Sequence, residues 1–468
     1  MRDLVVALLV LGSMPFCFRK PFLGVLMFSL LAYMRLQDLA WGFAKDIRWS
    51  YYIVLVTVVG YIANANRKLP RMNARVVLLI LMALHVGVGL FFAAGPGRVD
   101  LVGYREFVKI IGVTIFTTAV VRTQSHLRIM VWVIAMSLGF HGTKVGIMAV
   151  VKGGNLFVSR GPGGLIEDNN DFALAVAMII PWIYYLAQSE TNPTLVRILK
   201  VIVPLCAATV ISTRSRGGTL SLALMGAFII WRSRNRLIGV VLGVFAVVVI
   251  VVATPDEYKA RLGTIQTYQE DGSAMGRIRA WKVALRMIDD RPVFGVGFRR
   301  FALNHLDYEP NPTIGEQNGT TALVAHNSYL QIWAESGTPA FLIYLALMAA
   351  TLWDIWRVRW RAKKLYLDSW VLSYCSMFEV SLATFMVGSI FLNRAAFDLV
   401  YTLFALVIIF GVVARRQMDE DEASTKKLPP GGAGHDSEGP ADWLADPIAV
   451  KPRPSFRRVS LQGREKRG

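Results

Sequence analysis

Along most of this 468-residue chain, apolar stretches long enough to cross or nearly cross a bilayer follow one another with only short polar gaps. One such stretch fits a buried core helix, but a dozen in succession leave too little polar surface to solvate a globule. Hydrophobic residues make up 54% of the sequence, more than an ordinary soluble domain carries. In hydrocarbon the backbone must satisfy its own hydrogen bonds, and runs of this length do so as helices. The expected fold is therefore an all-α polytopic integral membrane protein. The runs fall at residues 3–17, 21–34, 50–66, 76–94, 106–121, 129–151, 172–188, 197–212, 218–231, 237–254, 339–356, 369–392 and 396–413. They predict about 12–13 transmembrane helices, the first two runs being short enough to form one hairpin or to pack as tilted pieces. The N-terminus has the charge and length of a signal peptide, but it lacks a small-residue cleavage site and a second apolar run follows at once, so a retained first span is expected.

The formal net charge is +19. Nucleic-acid binding is not the expectation, because the basic residues sit mainly in short loops between spans and in the tail. Arg67, Lys68, Arg71 and Arg75 share one loop; Arg122 and Arg128, then Arg197 and Lys200, then Arg232, Arg234 and Arg236, then Arg357, Arg359, Arg361, Lys363 and Lys364 occupy every second loop after it. The positive-inside rule assigns these loops to the cytoplasm. Residues 152–170, 213–217 and the long 255–338 segment then face the other side, making 255–338 one large extracytoplasmic loop. Beyond residue 414 the chain is polar, predicting a disordered cytoplasmic tail with a basic end suited to anionic lipid. Cys17, Cys206 and Cys375 lie within apolar runs, so they read as packing residues rather than a disulfide framework or metal ligands.

This topology leaves Arg214 and Arg216, in the turn STRSRGG, and the arginines of the long loop on the outer face, where charge bias does not explain them. Within the loop, GSAMGRIRAWKVALRMIDDRP predicts an amphipathic helix with Ile278, Trp281, Leu285 and Ile288 as its apolar stripe and Arg277, Arg279, Lys282 and Arg286 on its polar side. Such a helix would lie at the interface with its tryptophan in the headgroup layer. VFGVGFRRF follows; a lone GxG is too little for a dinucleotide fold, and a tight turn presenting Arg299 and Arg300 accounts for it. In AHNSYLQIWAESGTP, Gly337, Thr338 and Pro339 suit a helix end, an N-cap and a new first turn. The residues before them predict a short separate turn or helix at the membrane lip, with His326, Tyr329, Leu330 and Trp333 on one face and Asn327, Gln331 and Glu335 on the next.

Of six histidines, only His305 and His326 fall in the outer region. His326 is the better candidate base, since it sits among hydrogen-bonding residues at the lip, near several arginines. An imidazole near neutrality can take a proton from a hydroxyl, and guanidinium forks can hold a diphosphate. No paired carboxylates resembling a DxD metal site occur outside: Asp289 and Asp290 close the amphipathic helix and EDNND (Glu167 to Asp171) caps a span. Neither a metal nor a cofactor is implied.

The succession STRSRGG, GRIRAWKVAL…PVFGVGFRRF and HNSYLQIWAESG resembles the O-antigen ligase and polymerase superfamily of bacterial envelope glycosyltransferases over roughly residues 200–350. The opening MRDLVVALLVLGSMPFCFRKPFLGVLMFSLLAYMRLQDLAWGFAKD is similar to O-glycosylation ligases associated with the exosortase A system. The two resemblances imply an N-terminal transmembrane region (1–190), a ligase-like region (191–413) and the tail (414–468). They also imply transfer of a glycan from a polyprenyl diphosphate to a hydroxyl on lipid, protein or glycan, without metal, at the periplasmic face of the inner membrane. By motif, His326 matches the catalytic histidine, Arg277 the loop arginine of GRxxxW and Arg216 the arginine of the SRG turn. Arg214, Arg299 and Arg300 are weaker matches for the diphosphate, with Asn327 and Glu335 as a supporting polar network. The sequence departs from the family at Ala340, where a second glycine is common, and in the doubled arginine after GVGF. A polymerase of the same superfamily differs only in its acceptor; a lipid-linked sugar flippase would carry charges inside the spans lining a pathway.

Overall fold

The computed structural model describes residues 2–65, 67–94, 100–232, 236–237, 239–241, 243, 272–318, 323–365 and 370–426. Among them there is no strand, only an isolated bridge between Arg160 and Asp168. The long helices are α1 (Arg2–Arg19), α2 (Pro21–Tyr33), α3 (Trp49–Ala63), α4 (Ala74–Gly89), α5 (Leu101–Val120), α6 (Gln124–Val151), α7 (Asn169–Ser189), α8 (Pro193–Ser212), α9 (Arg216–Arg232) and α10 (Gly272–Asp290). After the short α11 (Phe301–Tyr308) and α12 (Ile314–Gln317) come α13 (Ser328–Leu365), α14 (Trp370–Gly388) and α15 (Asp398–Lys426). Every apolar run of the sequence thus corresponds to a helix except 237–254, which lies almost entirely outside the described residues.

Seven of the described helices, α4, α6, α7, α8, α13, α14 and α15, are long and apolar enough to cross a membrane. At 13 and 15 residues, α2 and α3 are apolar but short. At about 1.5 Å per residue they reach only about 20 Å, short of a typical hydrocarbon core.

Helix α7 is buried along almost its whole length, and α15 over its first half, from Leu399 to Phe410. Around α7 pack α6, α8, α9 and α14, while α13 packs on α4, α14 and α15. In lipid the burial of apolar area gives helices little reason to associate, so small residues that permit close approach matter more. Helix α6 has such a stripe: a methyl group added to Gly142 would lie 2.7 Å from Cys206 Sγ, and one added to Gly146 would meet the Leu205 backbone of α8. The three cysteines are free and buried, the packing role expected for them. Two smaller clusters flank this body. One joins α1, α2 and α3 around Val10, Leu31 and Ile53; the other is the outer loop's own core.

The polar connections separate onto two ends. At one, Asp354 pairs with Arg75 and Arg415, each at 2.6 Å, and Glu379 pairs with Arg359 at 2.5 Å and Arg232 at 2.8 Å. Arg75, Arg232 and Arg359 come from the loops that the charge alternation groups together, and Arg415 from the end of the last apolar run. At the other end lie the 152–168 loop, the 213–215 turn, the outer loop and the α14–α15 connection. The start of α1 is also there: Asp3 accepts hydrogen bonds from Gly42 N and Ala44 N at 2.9 and 3.1 Å, and Arg35 of the same connection lies against Gly164. The beginning of α1 and the Arg415 region of α15 therefore lie at opposite ends of the bundle.

Candidate functional site

Three sequence motifs meet around the N-terminus of α7. The first is the α8–α9 turn. Ser215 begins α9 as its cap, its Oγ accepting from Gly218 N at 3.1 Å. Arg214 takes a left-handed backbone (φ 54°) and sets its guanidinium over Phe157 at 5.2 Å, while Arg216 is exposed at the first position of α9. Asn169 Nδ2 donates to Thr213 O at 3.1 Å, fixing this turn to α7. The glycines that follow let α9 lie close: a methyl group on Gly218 would stand 2.6 Å from Ala173 Cβ, and one on Gly217 3.0 Å from Phe391 Cβ.

The second motif is the segment before α13. Asn327 is the helix N-cap, its Oδ1 accepting from Tyr329 N at 2.9 Å and Leu330 N at 3.1 Å. His326 stands one residue outside, with φ 45°. The predicted shared face of His326, Tyr329, Leu330 and Trp333 therefore does not form: the cap begins the helix at Ser328 and the left-handed residue turns the imidazole off it. The residue as a whole is open to solvent, although its imidazole is partly desolvated. Ser328, fully buried, is held on both sides, its N donating to Ser389 O at 2.8 Å and its Oγ to Leu392 O at 2.7 Å. Arg394 N in turn donates to Ser328 Oγ at 2.8 Å, and the Arg394 guanidinium pairs with the buried carboxylate of Asp171 in α7.

The third motif is α10. Its predicted stripe is displaced by about one position: Ala280, Val283, Ala284, Met287 and Ile288 are buried against Val296, Ala325 and Ala334, while Leu285 is 48% exposed. Two alanines, weak by hydropathy, fit the close approach to the backbones of 325 and 334 better than a larger stripe does. Trp281 is half-buried and donates Nε1 to Ala325 O at 3.0 Å. The cations of α10 divide accordingly. Arg279 pairs with the buried Glu309 and Glu316, and Arg286 donates to Tyr308 O at 2.8 Å, so both brace the outer loop. Arg277, one turn before Trp281, acts on His326: loss of hydration first, then the Arg277 cation, hold the imidazole below its usual value, and Asp168 at the cap of α7 opposes them.

His326 thus lies within electrostatic reach of Arg277 and Asp168, and the turn that carries Arg214 and Arg216 is bonded to the neighbouring Asn169. Arg299 and Arg300 lie in a second cluster. Arg299, also left-handed (φ 58°), reaches Asp100 at 3.4 Å; Arg300 is 2% exposed and donates Nε to Ala94 O at 2.9 Å. Burial removes the Arg300 guanidinium from the surface on which it was expected to meet a diphosphate. Glu335 organises this second cluster by accepting from Arg299 N and Phe301 N at 3.1 and 3.2 Å, which caps α11. The GVGF segment is the expected tight turn, with Val296 N and Gly297 N donating to Ala334 O and Glu335 O. Sequence reasoning missed the Asp171–Arg394 pair, whose partners stand 223 residues apart. The available signal was an acid and a base, each at the lip of an apolar run.

Among the described residues the chain is a helical bundle with seven helices long and apolar enough to cross a membrane, the architecture of a multi-pass membrane protein with these polar residues at one end. Residues 201–345, which hold every candidate residue, match the family model described as O-antigen ligase. Residues 1–191 match a family of unknown function. No curated protein matches the chain. The ligase match supports an enzyme of the O-antigen ligase/polymerase type and implies lipid-linked glycan substrates.

Proposed function

We propose that the chain is an O-oligosaccharyl ligase, transferring a glycan from a polyprenyl diphosphate to a hydroxyl acceptor without a metal. The observation that supports this is the match of residues 201–345 to the O-antigen ligase family model, with His326 and the Arg214–Arg216 turn both set at the N-terminal end of α7. A neutral imidazole accepts the acceptor's proton as its oxygen bonds to the anomeric carbon. The sugar–phosphate bond breaks, its electron pair stays on the polyprenyl diphosphate, and the guanidinium groups meet the charge released there. One displacement inverts the anomeric centre, and the imidazolium returns its proton to water.

In this reading Arg216 and Arg277 hold the diphosphate, Arg214 and Arg299 assist at its margin, and Asn327, Glu335 and Arg300 position the scaffold. The basic end of the bundle faces the cytoplasm together with the tail, and the site faces the periplasm from the inner membrane. Residues 1–190 supply the flanking region of the exosortase A-associated type, and 191–413 the ligase region with its 255–338 loop.

The test is transfer by the purified chain from a polyprenyl-diphosphate glycan in the presence of a chelator, with product anomer and length resolved. Inverted product on a separate hydroxyl acceptor is expected. Strict dependence on added divalent metal, or full activity of His326→Ala, overturns the mechanism. A ladder of the donor's own repeat unit with no other acceptor assigns the chain to polymerisation instead.

A further inference from the structure

At the end of the bundle opposite this site, α13 and α15 enclose a cleft of about 370 Å³ lined by Trp353, Arg357, Val358, Trp360, Arg361 and Arg415. Three guanidinium groups line it and no carboxylate does. Arg415 is committed to Asp354 at 2.6 Å and Arg361 to Asp419 and Glu422 at 2.6 and 2.9 Å. Arg357 is exposed and has no hydrogen-bond or ion-pair partner among the described residues. Trp353 and Trp360 are 51% and 55% exposed and meet edge to face with ring centres 5.7 Å apart.

The depth of the cleft follows from helix geometry. The spanning limb of α13 starts at Pro339, and at about 1.5 Å per residue Arg357 lies about 27 Å further along. Arg415 is 17 residues into α15 from Asp398, about 26 Å by the same measure. Two independent helices therefore bring these arginines to the far edge of a hydrocarbon core about 30 Å thick. Exposed tryptophans at that level are the usual residues of the headgroup layer, and a basic pocket between helices there fits a lipid phosphate.

We propose that this cleft is a binding site for a phospholipid with an anionic headgroup, its phosphate on Arg357 with Arg361 and Arg415 alongside and its glycerol and upper acyl carbons against Trp353 and Trp360. The cleft is a lipid site rather than a site for free phosphate because its aromatic wall is open to the flank of the bundle, where acyl chains run.

The experiment is native mass spectrometry of the full chain in neutral detergent, titrated with dioleoyl phosphatidylglycerol or dioleoyl phosphatidylcholine. Phosphatidylglycerol is expected to bind at least about tenfold more tightly. Arg357→Gln is expected to erase that preference, Arg357→Lys to keep part of it, and 10 mM inorganic phosphate to leave the bound lipid in place. Because Arg357 braces no other group, the substitution leaves the fold intact. Equal affinity of the wild-type chain for the two lipids overturns the proposal without reference to any variant. Undiminished phosphatidylglycerol binding by Arg357→Gln, or displacement by free phosphate, overturns it as well.

Discussion

The indole nitrogen of Trp281 donates to the carbonyl of Ala325 at 3.0 Å, one peptide before His326. This bond ties the helix carrying Arg277 to the strained residue that carries the imidazole, so His326 and its neighbouring cation share one support. Trp281→Phe keeps most of the ring while removing the donor. A buried carbonyl that loses its donor costs about 1–3 kcal/mol. Transfer is expected to fall by about tenfold or more, read as kcat at equal membrane abundance, with donor KM changed less. His326→Ala should cost more, about 10²–10⁴-fold, the usual range for removing a general base.

The acid limb of the pH–rate profile reports the imidazole. Desolvation and Arg277 hold His326 below its ordinary value, so its neutral, base-competent form persists to lower pH than in a free histidine near 6.5. Activity is thus expected to fall only below about pH 6.5. Removing the cation in Arg277→Gln moves the limb upward toward that value, and removing the anion in Asp168→Asn moves it downward. The unfolded chain binds more protons in this window, so the same group also lessens stability as pH falls through it. Limbs moving in the same direction in the two variants would contradict the assignment of charges around the ring.

How much of this could be read in advance depends on the range of the interaction. Period and hydropathy locate helices, and every described run became one. The breaks at Gly337 and Pro339 were legible because backbone restrictions are local: Gly337 takes φ 78° inside what is otherwise continuous helix. His326 and Arg277 stood out because charged and titratable residues fall there where topology does not call for them. The direction in which α10 faces was not, since Ala280 and Ala284 contribute little to a hydropathy pattern yet fit close to Ala325 and Ala334. Burial of Arg300 beside exposed Arg299 was equally hidden, as adjacent arginines are identical to any local rule and it is tertiary contact, the Ala94 carbonyl included, that distinguishes them.

Gly337 shows how little freedom the lip has. A side chain there would collide with the carbonyl of Val293, and the left-handed backbone disfavours any β-carbon. Thr338 N also donates to Pro292 O at 2.7 Å, so the kink and the end of α10 are docked to one another. Gly337→Ala is expected to lower stability by about 2 kcal/mol or more from strain and displacement together. A thermal shift assay in detergent measures this, and Ala340→Gly, a change at a buried helical position just beyond the kink, serves as the comparison.

The support of His326 ends in a charge pair. Ser328 is gripped by the α14–α15 connection, and Arg394 within that connection is paired with Asp171 in α7. Asp171 is 2% exposed, so it is left as a buried carboxylate when its partner is removed. Arg394→Ala is expected to destabilise the chain by up to about 3 kcal/mol, near the low end for breaking a buried pair because Arg394 is partly open to solvent. Activity should fall as the Ser328 anchor loosens, whereas the double variant Asp171→Asn, Arg394→Gln, which leaves no unpaired charge, should recover stability more fully than activity. Unfolding midpoints and transfer rates measured on the same three preparations separate the two effects. Parallel recovery of both would mean that the pair holds the bundle together without governing the placement of the histidine.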